Sequence, residues 1–83
     1  MDYDYFTFRS ITRGQLALRE LQEADVNAAL LRTPKALTTE GCGYTVRVRA
    51  GEGDRAAGIL ARSDVPYQRR FRQSGGQYRE VAR

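Results

Sequence analysis

Any covalent chemistry this chain performs has to run through one side chain, Cys42, the single cysteine of its 83 residues. There is no histidine, so the commonest general base and metal ligand is missing, and no Ser–His or Cys–His pair can be assembled within the chain. One cysteine forms neither an intrachain disulfide nor a CxxC redox pair, and it offers no zinc cluster; the expectation is no metal and no cofactor. A lone free thiol fits a reducing compartment, so the reading is a cytoplasmic protein.

Cys42 stands between Gly41 and Gly43, in a polar stretch running from Lys35 through Thr38, Thr39 and Glu40. Flanking glycines leave a sulfur with little steric cover and let backbone amides turn toward it. The thiolate, not the thiol, is the nucleophile, and a helix N-terminus or a nearby guanidinium stabilises it. Two readings stay open on these residues alone. Cys42 is a reactive thiolate on an exposed loop, or it is a small buried apolar group whose glycines shape a turn. Glu40 stands two residues away, where its charge would oppose thiolate formation, and it is given no role.

The elements that must position this loop follow from periodicity. Tyr3 to Phe8 alternates aromatic with polar residues, as a half-buried first strand does. Thr12 with Gln15 makes a capping box, Ser10 being a rival cap, and opens a helix with Leu16, Ala17, Leu18, Leu21 and Ala24 on its apolar side. Val26 to Leu31 reads as a second strand stopped by Thr33-Pro34, since proline lacks the donor a ladder needs. Tyr44 to Ala50 alternates cleanly as a third strand. Asp54 or a neighbour caps a second helix using Ala56, Ile59 and Leu60, and Asp64-Val-Pro-Tyr ends it. Tyr67 to Arg72 is a fourth strand with Tyr67, Arg69 and Phe71 on one side, and Tyr78 to Val81 a short last strand or a loose tail.

That order predicts an α+β fold of the ferredoxin-like βαββαβ kind, with two helices on one face of an antiparallel sheet. It is read as one domain over residues 1–83, with a core at 3–72 and a C-terminal extension or extra strand at 73–83. The topology brings the Cys42 loop to the end of the sheet where the first helix begins, near Val65-Pro66-Tyr67, with Arg9, Arg13 or Arg32 as candidate guanidinium neighbours.

Composition limits the rest. No apolar run approaches the roughly 20 residues a membrane span requires, and the acidic N-terminus does not read as a signal peptide. Lysine and arginine number 14 against 10 acids, for a net charge of +4. Lys35 is the only lysine. Arg47 and Arg49, alternating with valines, read as a solvated sheet face, and Arg69 to Arg72 as a charged edge strand that resists aggregation or steers an acidic partner. Nucleic-acid binding is disfavoured, because the aromatic-rich strand of RNA-binding domains is missing.

The run from Leu31 through Thr33-Pro34-Lys35, Thr38-Thr39 and Cys42-Gly43 to Val48 resembles the signature of the selenium/sulfur carrier-like proteins, a family of small bacterial domains. Ser10 falls at that family's helix start, with Leu16 and Glu20 on the helix, and the likeness covers about residues 3 to 72. Lys35 and Ala36 depart from the family's usual arginine and glutamate. The resemblance implies a carrier rather than an enzyme. Cys42 would hold a persulfide or selenosulfide in a cradle of Thr38, Thr39, Gly41 and Gly43, with Arg9, Arg13 and Lys35 as electrostatic helpers. A cysteine desulfurase-like or selenium-donor protein would load it. The competing reading is a non-catalytic interaction module with a structural cysteine, able to form a homodimer through a sheet edge.

Overall fold

The aromatic opening segment becomes β1 (Tyr3–Phe8), the middle strand of the sheet. The structure, a computed structural model, describes residues 2–37 and 43–81. After β1 come α1 (Ile11–Glu23), β2 (Ala28–Arg32), β3 (Tyr44–Arg49), α2 (Gly53–Arg62), β4 (Arg70–Ser74) and β5 (Gln77–Glu80). Short 3-10 turns lie at Lys35–Leu37 and Ala50–Glu52. The five strands form one sheet in the order β2-β3-β1-β4-β5, with every neighbouring pair antiparallel. The α+β class and the antiparallel sheet with two helices are as the sequence leads one to expect.

The main core lies between the helices and one sheet face. Phe6, Phe8, Val46 and Val48 project from the sheet against Ala17 and Leu21 of α1 and Ala56, Ile59 and Leu60 of α2. Gly14 is buried in the first turn of α1, where an added Cβ would sit 2.9 Å from Leu30 Cδ1. The glycine that weakens the helix by propensity is what lets it approach the sheet.

Several local expectations need correction. Ser10, not Thr12, caps α1, its hydroxyl accepting from the Arg13 amide. Leu16 is exposed, because the inward stripe runs through Gly14, Ala17 and Leu21. Val26 precedes β2 and belongs to the helix end. There Asp25 adopts φ 63° and the Val26 amide donates to the Leu21 carbonyl, a Schellman closure with Val26 packed in the core. The end of α2 repeats the device: Asp64 has φ 58° and the Val65 amide donates to the Leu60 carbonyl.

The other sheet face is covered more than the half-buried reading allowed. Leu37, carried there by the turn after β2, is buried with Tyr5 and Phe71, flanked by Tyr3, Leu31 and Tyr78. Arg47 lies over the Tyr3 ring at 4.4 Å and is half-buried, while Arg49 is exposed. β4 starts at Arg70 rather than Tyr67, and it is no edge. It lies between β1 and β5, so the sheet's edges are β2 and β5 and a homodimer cannot use a β4 edge.

Candidate functional site

Cys42, Thr38, Thr39 and Gly41 lie outside the described residues. The connector that carries them is anchored at both of its described ends. On the β2 side, the Leu37 amide donates to the Pro34 carbonyl at 2.9 Å and Leu37 is buried. Thr33, just past the end of β2, shares a hydroxyl–hydroxyl hydrogen bond of 2.9 Å with Thr45 of β3. On the β3 side, the Thr33 amide donates to the Gly43 carbonyl at 3.2 Å. An added Cβ on Gly43 would lie 3.9 Å from the carbonyl oxygen of Arg9. Arg32, Tyr44 and Phe8 pair in one row across β2, β3 and β1. Gly43, next along the chain from Tyr44, is thus one residue beyond the sheet row from which Arg9 and Ser10 lead into α1.

The same end of the molecule carries a shallow cleft of about 500 Å³ lined by Phe8, Arg9, Arg13, Pro66, Tyr67 and Gln68. Both arginines are exposed, and among the described residues neither is in an ion pair. The first turn of α1 holds no acidic side chain to offset its amide dipole. Arg32 lies over the Tyr44 ring at 5.7 Å, in the row of Phe8 but two strands away on β2. Of the expected site residues, the fold therefore brings Arg9, Arg13 and Gly43 to one end. Lys35 is exposed on the 3-10 turn and lines none of the cleft.

The strongest electrostatic feature lies elsewhere and was not expected. Asp4, fully buried, faces the helices beside Phe6, directly beneath Gly53 at the start of α2. It accepts from Arg70 Nε at 2.9 Å and from the same guanidinium's NH2 at 2.6 Å. Arg72 Nε donates to its other oxygen at 2.7 Å. Arg70 NH2 also donates to Asp54 at 2.9 Å. Burial by itself would lower the pKa of Arg70, but its hydrogen bonds to Asp4 and Asp54 outweigh this and hold it above the ordinary value. Arg72 is raised by its hydrogen bonds to Asp4. So Arg70 is not a solvated charge on an edge, and Asp54 does not cap α2 but anchors Arg70. The available signal was Asp4 itself, a carboxylate two positions from Phe6 and hence on the same face of the strand.

A family model described as "Putative Se/S carrier protein-like" matches residues 2–72, and the chain belongs to that family. The matched segment spans β1 through the first residues of β4, with β5 beyond it. No match was found among curated proteins or among solved structures. No helix among the described residues is long and apolar enough to cross a membrane.

Proposed function

We propose that the protein is a sulfur or selenium carrier that holds its cargo on Cys42 and is not itself a turnover enzyme. Membership of the carrier-like family over residues 2–72 is the observation that carries this reading. The step is a sulfane transfer. The Cys42 thiolate attacks the terminal sulfur of a donor persulfide, a new Cys42–sulfur bond forms, the donor's sulfur–sulfur bond breaks, and the electron pair leaves on the donor's cysteine thiolate. A selenium donor would follow the same course to a selenosulfide. The Thr38–Gly43 segment serves as the cradle, with Arg9, Arg13 and Lys35 raising the local positive potential. The donor is a cysteine desulfurase-like or selenium-supplying protein in the cytoplasm.

The anchored ends of the connector support this chemistry. Gly43 stands against Arg9, at the end where α1 begins without an acidic residue in its first turn. A thiolate held there gains from the dipole and from uncompensated guanidinium charge. We also read the β4-β1-β3-β2 part of the sheet as the ferredoxin-like split βαβ, with β5 added outside β4. On this reading residues 3–72 are the functional core of a single domain.

The pH dependence of Cys42 alkylation tests the reactivity this role needs. A midpoint well below the free-thiol value of about 8.5 is expected. A normal or raised midpoint, or protection until the protein unfolds, would favour the interaction-module reading with a structural cysteine.

A further inference from the structure

Two exposed arginines, Arg9 and Arg13, stand together on the cleft at the end of the molecule where α1 begins. At the far end several cations are matched, Arg70 and Arg72 with Asp4 and Asp54 and Arg55 with Glu52, while Arg49 is exposed beside Tyr3. Arg69 is likewise paired with Glu80. Around the cleft, Arg9 and Arg13 have no carboxylate partner among the described residues. The cleft's floor is not wholly polar, since Phe8, Pro66 and Tyr67 contribute apolar surface. Its volume of about 500 Å³ is room for a few side chains.

We propose that this cleft seats an acidic segment of a partner protein, with Arg9 and Arg13 pairing its carboxylates and Phe8, Pro66 and Tyr67 receiving an apolar side chain between them. Guanidinium forks match carboxylates geometrically, and unpaired ones at a cleft rim attract an acidic chain from a distance. Nucleic acid suits the cleft less well. A single strand needs a track of cations with free aromatic faces, but here two arginines flank a short groove. The Tyr67 ring is already engaged edge-on with Phe6 at 4.9 Å. That the partner is the sulfur donor or acceptor rests on the carrier reading; the cleft's preference for an acidic segment does not.

The test is fluorescence anisotropy of a short fluorescein-labelled peptide alternating Glu and Leu, with its Gln/Leu counterpart as control. The unmodified protein should bind the acidic peptide, bind the neutral one far more weakly, and lose affinity with added salt. The double variant Arg9→Gln/Arg13→Gln should weaken binding by about tenfold, two exposed charge contacts being removed. The double variant Arg19→Gln/Arg79→Gln, which removes exposed arginines elsewhere, should leave it within about twofold. Equal weakening in both pairs, no binding at low salt, or tighter binding of a single-stranded oligonucleotide through the same two arginines would overturn the proposal. Cys42→Ser keeps the cleft and should bind the peptide normally. Failure of sulfur loading with peptide binding intact would therefore contradict the carrier reading alone, and the reverse pattern the cleft alone.

Discussion

Asp4 is held by two guanidinium groups, and its position explains Gly53. An added Cβ on Gly53 would run into the Asp4 carboxylate and come within 2.7 Å of Arg70 NH2, neither of which can withdraw. Gly53→Ala should therefore destabilise the protein by about 2 kcal/mol or more, as overpacking against fixed groups does. Asp4→Asn leaves the buried Arg70 with Asp54 alone and Arg72 with no carboxylate, at a cost of about 3 kcal/mol. Urea unfolding followed by circular dichroism reads both, and a loss under about 0.5 kcal/mol in either would contradict the account. Replacing Asp4 and Arg70 together by leucine and methionine should cost less than Asp4→Asn, because the pair's net worth is small once neither charge is left alone. These carboxylate–guanidinium contacts were illegible in the sequence. Arg69 to Arg72 read as one charge cluster, whereas the strand's alternation turns Arg70 and Arg72 to the face of Asp4, Arg70 buried and Arg72 partly exposed, and Phe71 to the opposite face.

At the scale of elements, the two helices end alike, each with an aspartate at positive φ followed by a buried valine. Aspartate tolerates this backbone less well than glycine. Asp25→Gly and Asp64→Gly should each raise stability by up to about 1 kcal/mol, read as a shift of the urea midpoint without change of slope. Destabilisation by either would mean that the carboxylate does something at the helix end beyond filling the position. The helices and the strand at Tyr44–Arg49 were legible because their apolar spacing is regular. The ends were not: Val26, an apolar residue beside a strand, looks like strand in the sequence, and only the hydrogen bond that closes α1 assigns it to the helix end. The β4 boundary failed similarly, since Gln68 and Arg69 bond to Thr7 as strand residues do without joining the ladder.

For the whole molecule, β5 is what turns β4 into an interior strand, and part of its hold is electrostatic. Arg69 donates to Glu80 through Nε at 2.9 Å and through NH2, and this hydrogen bonding holds the Glu80 carboxyl below its ordinary value. A depressed carboxyl contributes fully above the ordinary carboxylate range, and the contribution fades as pH falls through its lowered value. Amide exchange of Tyr78 and Arg79 should accordingly quicken, relative to β1, as pH falls from neutrality to below the ordinary glutamate range. Unchanged relative protection would contradict a role for this pair. Tyr5, beneath Tyr78, is shifted the other way: burial pushes its phenol above the ordinary value. That contribution is intact below about pH 10 and is lost on further alkalinisation, as the ionised phenol is driven from its buried place.

The end of the sheet at which the connector's described residues lie was legible for a topological reason. A helix that starts where β1 ends, followed by a strand that returns, fixes which end the connector must reach. The sequence did not reveal that the connector's start is fixed by Leu37 on the far sheet face, since a single leucine among polar residues has no periodicity to read. A carrier role for Cys42 requires that it accept sulfur, which a loading experiment reads. The protein and its Cys42→Ser variant would each be incubated with a cysteine desulfurase and free cysteine, and intact masses recorded before and after thiol reduction. One added sulfur is expected on the unmodified protein, released by reductant, and none on the variant. Equal loading of both, or no loading of the unmodified protein under conditions where the desulfurase loads a known acceptor, would contradict that role.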